Sequence, residues 1–440
     1  METIINQQGN EAKMFIAENL VDLETMKQIK TMIMDPSIKN ARIMPDCHKG
    51  SGCCVGFTCK ISDKVVPNFV GGDIGCGITS YKIGKLGSKE KKLDKLIRKL
   101  VPMGSTYQGV HTTPVVTFDD FKEMSRLANL EADNFTKEYK KQFNIDISKF
   151  KPEYSFEWFK ERCKILNSDF NYTIKSMGTL GSGNHYIEIN ISELDNSKYI
   201  TVHSGSRHFG MQVNQYHQSK IFNNKKFNWT KFNKFKNELE KEFIGLELEE
   251  KVNQLKEQIE SEIHTPYLEN EEAYQYFFDM IYAQKYAEMN RKIMIRLILN
   301  GLNKELDPKN IIQSTHNYID FNDFILRKGA ISAHKDELCI ISLNMRDGIL
   351  LCKGKGNSDW NYSSAHGSGR VVSRQKALNK FRLKDFQKEM RNVYSTSVLK
   401  ETLDESPMAY KDSELIKSCL GPSVEIIEHL YPILNVKATK

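Results

Sequence analysis

No stretch of this 440-residue sequence approaches the roughly 18 uninterrupted apolar residues that a membrane-spanning helix needs. Residues 1–10 also lack the basic segment and apolar run of a secretory signal peptide. We therefore expect a cytoplasmic protein. The sequence has no internal repeat, no low-complexity tract and no clear linker, so nothing in it marks a boundary between domains.

Paired CxxC units are also missing, although the chain has nine cysteines. An odd number of irregularly spaced cysteines in a chain of this length argues for reduced thiols and against a disulfide framework. We expect most of them to be small core residues, with one or two as candidate metal ligands.

The charge balance is weakly basic. A formal net charge of +7 fits a polyanionic partner, but a composition rich in lysine and asparagine can also reflect the encoding genome. Residues 225–236 interleave lysines with aromatic side chains, a pattern that can bind single-stranded nucleic acid. An amphipathic helix with a solvated basic face explains this segment equally well and is the preferred interpretation.

Potential metal ligands recur where strand-like segments meet glycine-rich loops. Asp73 and Cys76 follow a buried-strand pattern, and His185, His203 and His316 occupy similar positions. Each alone is also compatible with a simple glycine-rich corner. Together, one carboxylate, one thiolate and three imidazoles could hold two divalent ions if the thiolate bridges them. This ligand set suits zinc at least as well as manganese.

His366 lies between small residues and precedes a glycine-rich loop, residues 367–369, with Arg370 and Arg374 beyond it. Glycines let the backbone turn its N–H groups toward an anion, and arginines bind phosphate oxygens in pairs. The segment fits a histidine that handles a phosphate. The alternative is a surface turn with a hydrogen-bonded imidazole.

Apolar and polar residues alternate from Tyr186 to Asn190, which predicts a strand. If that strand already runs through Asn184 and His185, Glu188 shares a face with Asn184. Elsewhere, such strand-like segments alternate with long helical ones. We expect a single α+β domain over residues 1–440, with mixed sheets surrounded by helices, helical insert-like segments at about 122–167 and 220–300, and an active site at strand–loop junctions.

Eight short motifs carry a resemblance to a known family. They are Met44-Pro-Asp-Cys-His-Lys-Gly, Asp73-Ile-Gly-Cys-Gly, Gly178-Thr-Leu-Gly-Ser-Gly-Asn-His, His203-Ser-Gly-Ser-Arg, His316-Asn-Tyr, Arg327-Lys-Gly-Ala, His366-Gly-Ser-Gly-Arg and Pro407-Met-Ala-Tyr-Lys-Asp. The sequence resembles the RtcB family of RNA ligases, because these motifs occur in that family's order and cover nearly the whole chain.

The resemblance implies a GTP- and manganese-dependent ligase of RNA repair or tRNA splicing. It joins an RNA 3′-phosphate or 2′,3′-cyclic phosphate end to a 5′-hydroxyl end. His366 would carry GMP and transfer it to the RNA end, forming an activated RNA-pp-G end. RNA is the implied partner, and the need for an archease-like activator is left open.

The resemblance also assigns residues. The implied ligands of two manganese ions are Asp73, Cys76 as the bridge, His185, His203 and His316. The implied guanylate pocket comprises Asn184, Glu188, Asn317, Asn344, Gly367, Ser368, Gly369, Tyr410 and Lys437. Arg207, Arg370 and Arg374 are candidates for RNA phosphates, and Asp46 matches a further active-site acid.

One loop departs from the family pattern. Ser342-Leu-Asn-Met-Arg-Asp-Gly stands where many members carry Gly-Ser-Met-Gly, so Arg346 and Asp347 bring charges that the common loop lacks. Nucleotide preference, guanylylation rate and RNA-end preference therefore stay open. Two alternatives to ligation are guanylyl-dependent capping or processing of nucleic-acid ends without sealing, and metal-dependent RNA binding without turnover.

Overall fold

The computed structural model describes residues 2–5, 11–104, 109–223, 229–243, 247–248, 250–255 and 267–439. Within these ranges, no helix combines the length and apolar character needed to cross a bilayer.

The strands are given first, in chain order. They are β1 (Glu2–Ile5), β2 (Glu11–Met14), β3 (Lys39–His48), β4 (Val55–Lys60), β5 (Lys64–Val65), β6 (Gly77–Gly84), β7 (Tyr186–Ser192), β8 (Lys198–Ser204), β9 (Leu268–Glu269), β10 (Ile311–Thr315), β11 (Asn317–Asp320), β12 (Ile325–Lys328), β13 (Ala330–Ser332), β14 (Leu338–Ser342), β15 (Ile349–Gly354), β16 (Ser363–Ala365) and β17 (Val424–Val436).

The α-helices follow the same order. They are α1 (Leu23–Met32), α2 (Glu90–Leu100), α3 (Phe118–Phe143), α4 (Phe156–Ile165), α5 (Phe170–Lys175), α6 (Arg207–Asn223), α7 (Trp229–Glu242), α8 (Asn270–Gly301), α9 (Arg374–Lys380), α10 (Leu383–Glu389) and α11 (Ser413–Leu420).

Two large sheets organise the fold. One has the strand order β1-β2-β3-β4-β12-β11, and the other β10-β6-β8-β7-β17-β15-β14. Only the β2–β3 pair is parallel among the described strands of these sheets. The two edge strands of the second sheet, β10 and β14, approach each other. Ile340 N of β14 donates a hydrogen bond to Ser314 Oγ of β10 at 2.9 Å. The predicted α+β fold with mixed sheets and flanking helices is confirmed.

Helix α8 is the central helix, and it confirms the long helix that the spacing of apolar residues predicts over 272–299. Glu271 and Glu272 in its first turn complement the positive end of the helix dipole. Most of its length is buried, and it packs aromatic side chains against α3. The rings of Phe277 and Phe135 lie 5.7 Å apart, edge to face. This packing holds α8 against α3, and α8 also contacts β6 and β8 of the second sheet.

The predicted helical segments match only in part. Helices α3 and α4 occupy most of residues 122–167, and α7 and all but the last residue of α8 fall within 220–300. Parts of the second segment, including residues 224–228 and 256–266, lie outside the described residues, as does the start of the lysine- and aromatic-rich segment. The described remainder of that segment begins α7, as the helix interpretation expects. The single-domain boundary of 1–440 stays a prediction.

Candidate active site

The predicted metal ligands meet at one edge of the seven-stranded sheet. Cys76 and His185 directly precede β6 and β7, His203 is the penultimate residue of β8, and His316 directly follows β10. These strands are antiparallel neighbours in the order β10, β6, β8, β7. Because antiparallel pairing brings the end of one strand beside the start of the next, the four side chains converge.

The donor atoms of this cluster lie close together. Cys76 Sγ is 3.4 Å from His185 Nε2 and 3.3 Å from His203 Nε2. His203 Nε2 is 3.3 Å from His316 Nε2, and Asp73 Oδ2 is 2.9 Å from His185 Nε2. Thiolate, imidazole and carboxylate donors in this arrangement can bind a divalent transition metal.

The imidazoles of the cluster are suited to metal binding. Burial lowers the pKa of His203 well below its usual value, and His185 adds to the shift. Burial and the nearby His366 lower the pKa of His316 in the same way. Both rings are therefore neutral at pH 7, as ligands must be. His185 Nδ1 lies 2.9 Å from the carbonyl oxygen of Leu180, which leaves Nε2 to face the other donors.

Cys76 and Asp73 complete the donor set. Burial raises the pKa of the Cys76 thiol well above its usual value, and Asp73 raises it further. A bound cation would reverse this shift, because coordination deprotonates a thiol. Burial also raises the pKa of Asp73, but His185 outweighs this and holds it below its usual range. Gly205 allows the close approach, since a Cβ there would lie 2.0 Å from Asp73 Oδ1. The residues present fit a divalent metal.

Two buried polar residues of α8 hold the ligand-bearing loops in place. Asn290 accepts a hydrogen bond from Gly178 N at 2.8 Å and donates to the Gly205 carbonyl at 3.0 Å. Arg291 donates to the Gly75 carbonyl at 2.7 Å. These three glycines belong to the loops beside His185, His203 and Cys76. A single rigid helix therefore fixes the relative positions of three ligands.

His366 lies beside the metal cluster, its ring centroid 4.7 Å from that of His316. On its other side, His366 Nδ1 lies 2.6 Å from Asp46 Oδ2, although the two atoms are not aligned for a hydrogen bond. Asp46 is fully buried, and Oδ2 accepts hydrogen bonds from the backbone N–H groups of His366 and Gly367, both at 3.1 Å. The carboxylate thus holds the backbone of His366 and lies against its Nδ1, whereas Nε2 is the ring nitrogen on the other side.

The glycine-rich loop after His366 binds the carboxylate of Asp46 at Gly367, where the sequence predicted a phosphate contact. The N–H of Gly367, which the sequence pattern directed toward a bound anion, points to Asp46. Gly369 has a φ of +69°, and a Cβ there would lie 2.0 Å from the Asp46 carbonyl oxygen. Ser368 Oγ is buried and has no hydrogen-bond partner within the described part of the chain.

A cavity of about 830 Å³ opens over these groups, a size typical of small-molecule sites. The predicted site residues that line it are Asp73, Cys76, Asn184, His203, His316, Asn317, Asn344, His366, Gly367, Ser368, Gly369, Arg370, Arg374, Tyr410 and Lys437. Asp46, His185, Glu188 and Arg207 are not among the lining residues. One cavity therefore joins a metal-donor cluster, His366 beside its buried carboxylate and several cationic side chains.

Comparison with known proteins identifies the family. The sequence model of the RtcB family, described as tRNA-splicing ligase RtcB, matches residues 28–438. The chain belongs to the RtcB family. The resemblance expected from the motifs is confirmed, and membership of this family classes the chain as an RNA ligase.

Individual relatives of this RtcB-family chain agree with that assignment. The RNA-splicing ligase RtcB1 of one Escherichia coli strain is 28% identical over 99% of both chains. The RNA-splicing ligase RtcB of Escherichia coli K12 is 27% identical over 99% of both chains. The tRNA-splicing ligase RtcB of Nanoarchaeum equitans is 24% identical over 96% of this chain and 93% of its own.

Lys437 and Asn184 meet in the wall of the cavity. The tail that precedes Lys437 is strand β17, which lies between β7 and β15 in the middle of the sheet. Lys437 Nζ donates to the Asn184 carbonyl at 3.1 Å. Asn317 is also engaged, accepting a hydrogen bond from Gly329 N at 3.0 Å. Their nucleotide contacts stay predictions of the RtcB resemblance.

Glu188 lies deeper than the sequence pattern suggested. Strand β7 begins at Tyr186, so Asn184 and His185 precede it and the condition that set Asn184 and Glu188 on one strand face is not met. Both oxygens of Glu188 already accept hydrogen bonds, from Asn190 at 2.9 Å and Asn435 at 2.7 Å. A guanine-binding role for Glu188 stays a prediction and would require this buried carboxylate to become accessible from the cavity, which it does not line.

Burial raises the pKa of Glu188 to about 7, which predicts a pH-dependent stability. Between the ordinary pKa of a glutamate and about 7, the native state binds a proton that the unfolded state has lost. The free energy of unfolding therefore falls as pH rises through this range. Glu188→Gln carries no charge and escapes this loss. From about pH 5 to about pH 8, we expect the wild type to lose up to about 3 kcal/mol more of its free energy of unfolding than Glu188→Gln loses. Urea unfolding at both pH values measures this.

The control for this experiment is Glu425→Gln, which removes an exposed carboxylate from β17. Its stability should follow the wild type at both pH values. Parallel pH curves for Glu188→Gln and the wild type would contradict the prediction.

The loop that departs from the usual RtcB sequence neutralises its own charges. Arg346 pairs with Asp347 at 2.7 Å and with Glu389 of α10. Asp347 also accepts a hydrogen bond from Ser413 Oγ at 2.6 Å. Asn344 Oδ1 accepts from Arg346 N and Asp347 N, both at 3.0 Å, and so shapes the loop. Asn344 borders the cavity, whereas Arg346 and Asp347 do not.

The three arginines that the RtcB resemblance assigns to RNA phosphates differ in their contacts. Arg207 has a φ of +54°, and its Nε donates to Thr179 Oγ1 at 3.3 Å. Arg370 donates to the carbonyls of Val372 and Asp404, at 3.1 and 2.6 Å. Arg374 is the more exposed of the two cavity-lining arginines.

Sequence reasoning did not assign roles to three further residues of the cavity wall. His48 lies two residues after Asp46, and burial lowers the pKa of His48 to about 4. Lys328 donates to the Val70 carbonyl at 3.0 Å, and burial lowers its pKa. Glu405 lies near Lys437 and the arginines. Lys328 and His48 belong to quoted motifs, whereas Glu405 lies just before one and has no local signal.

Proposed function

We propose that this chain seals RNA 3′-phosphate or 2′,3′-cyclic phosphate ends to 5′-hydroxyl ends, using GTP and a covalent GMP on His366. The observation that carries the proposal is the pairing of His366 with buried Asp46 on one side and with the metal-donor cluster on the other. RNA repair and tRNA splicing are the processes that the family suggests.

The first step would use His366 Nε2 as the nucleophile. It attacks the α-phosphorus of GTP, an N–P bond forms, and the bond to the β-phosphate oxygen breaks to release pyrophosphate. Asp46 keeps Nδ1 directed away from the nucleotide and stabilises the positive charge that develops on the ring.

The next steps transfer GMP and close the RNA. An oxygen of the RNA 3′-phosphate attacks the GMP phosphorus, the N–P bond breaks, and an RNA-pp-G end forms. The 5′-hydroxyl oxygen then attacks the RNA phosphorus, loses its proton to water or a nearby base, and GMP leaves. A cyclic phosphate must first be opened by water to a 3′-phosphate. Arg207 and Arg374 are the proposed contacts to the RNA phosphates.

The residues that would hold two divalent ions are Asp73, Cys76, His185, His203 and His316. Bound metal supplies neutralisation of phosphate charge during these transfers. Manganese is proposed from the family, since the donor set alone fits zinc as well. The proposed GTP contacts are Asn184, Glu188, Asn317, Asn344, Gly367, Ser368, Gly369, Tyr410 and Lys437.

The test is sealing of two labelled RNA strands in the presence of GTP and manganese. Strands that end in a 3′-phosphate and a 5′-hydroxyl should be joined, because the activated end sits on the 3′ side. Matched strands with a 3′-hydroxyl and a 5′-phosphate should not be joined. Gel analysis of the product and its nuclease resistance at the junction measure this.

The intermediate products separate the alternatives. Accumulation of RNA-pp-G without joining would favour end capping, and metal-dependent RNA retention without either product would favour a binding protein. Joining of the 5′-phosphate pair would overturn the proposed end polarity.

A further inference from the structure

Glu405 is a buried carboxylate to which the RtcB resemblance gave no role. It ends the short 3-10 helix Lys400–Glu405, and 4% of its side chain is exposed. Four side chains from three parts of the chain donate to it. They are Lys437 Nζ at 3.0 Å, Tyr410 OH at 2.9 Å, Arg370 Nη1 at 3.4 Å and Arg374 Nη1.

These four donors occupy the carboxylate. A carboxylate has about four acceptor positions, so Glu405 has none left for a nucleobase or a ribose. Burial raises its pKa, but Lys437 and the two arginines outweigh this and hold the pKa below its usual range. Glu405 is therefore an anion at neutral pH, and it faces the protein's own cations.

We propose that Glu405 is a positioning residue that holds Lys437 and Tyr410 in the geometry that binds the anionic nucleotide, with Arg374 held beside them for an RNA phosphate. The inference rests on the proposed function, because it assumes that GTP enters this cavity. Without the carboxylate, three cations would face each other in a partly desolvated wall and would separate by mutual repulsion.

The contacts of Arg370 and Arg374 indicate that the two arginines have different roles. Arg370 uses its Nε, Nη1 and Nη2 on protein acceptors, and 11% of its side chain is exposed. Arg374 contacts Asp404 and Glu405 through Nη1, and 43% of its side chain is exposed. Arg374 Nε and Nη2 make no hydrogen bond to other described residues, so these donors are available for a phosphate. Arg370 therefore stabilises the backbone at Val372 and Asp404, whereas Arg374 presents free donors to the cavity.

Lys437 connects Glu405 to the metal cluster. Its Nζ also contacts the Asn184 carbonyl, one residue before His185. Displacement of Lys437 would therefore remove a cation from the cavity and loosen the segment that carries a metal ligand. Glu405 acts through other side chains and touches no reacting atom.

The first test is GTP binding by the full chain in a His366→Ala background, where no covalent step occurs. Adding Glu405→Gln should raise the Kd for GTP at least about tenfold, because a buried ion pair loses its charged partner. In the wild-type background the same substitution should raise the KM of guanylylation by a similar factor. The kcat at saturating GTP should change less than about threefold, since the nucleophile is untouched.

The matched control is Asp404→Asn. It removes the carboxylate of the preceding residue. Among the described residues, the Asp404 side chain pairs only with Arg374. Its Kd for GTP should change less than about threefold, as expected for a partly exposed ion pair. Equal effects of the two substitutions would overturn a specific role for Glu405.

Chemical rescue separates positioning from a general folding defect. Glu405→Ala should regain GTP affinity on addition of acetate, which can replace the missing carboxylate, but not with chloride at the same ionic strength. A cooperative urea-unfolding transition of this variant verifies that the chain is folded. Unchanged GTP affinity in Glu405→Gln would overturn the proposal. Failure of acetate to restore the GTP affinity of folded Glu405→Ala would also overturn it. Failure of the proposed function would appear separately, as absence of GMP labelling in the wild type.

Discussion

His366→Ala is expected to lose covalent labelling by GTP radiolabelled at the α-phosphorus, by at least about 10⁴-fold, as for removal of a nucleophile. The reason is geometric. His366 is the imidazole that borders the cavity while its Nδ1 faces a buried carboxylate, so we expect Nε2 to be the nucleophile. The neighbouring His203 and His316 point their Nε2 atoms at each other and at Cys76 instead.

Labelling followed by denaturing gel electrophoresis measures this loss. The wild-type label should be labile in acid and stable in alkali, as a phosphoramidate is, and should be absent when GTP carries its label at the γ-phosphorus. His208→Ala is the control, because His208 contacts Gln212 and Tyr172 away from the cavity. Asp46→Asn should retain part of the labelling, since it weakens orientation of His366 without removing the nucleophile. Undiminished label in His366→Ala would exclude it as the nucleophile.

Cys76→Ala is expected to weaken divalent-metal binding by more than about 100-fold, beyond the usual cost of losing a supporting residue. Its sulfur is the donor that contacts two of the imidazoles. Because burial and Asp73 raise the pKa of the thiol, the metal-free protein keeps it protonated at neutral pH. Metal binding must then release a proton from Cys76.

Calorimetric titration with manganese and with zinc, in buffers of different ionisation enthalpy, measures both the affinity and the protons released. Cys76→Ala should lose the affinity and the proton release together. Cys163→Ala is the matched control, since Cys163 is fully buried in the aromatic core away from the site. An unchanged number of released protons in Cys76→Ala would show that the thiol is not a ligand.

The sequence by itself determined the family, the long central helix and the strand–loop positions of the candidate ligands. These features are local. Glycine-rich turns after apolar runs and the helical spacing of apolar residues are visible within short windows. The order of the motifs along the chain then sufficed for the RtcB resemblance, without any knowledge of contacts.

Only the tertiary structure decided which groups touch. Asp46 and His366 are separated by 320 positions. Glu405 binds two arginines that precede it by more than 30 residues and Lys437, which directly follows β17. The same applies to Gly367, whose N–H meets Asp46, and to Glu188, whose oxygens are occupied by Asn190 and Asn435. Such contacts depend on strand order and register between distant segments, and neither is encoded in the local periodicity of one chain.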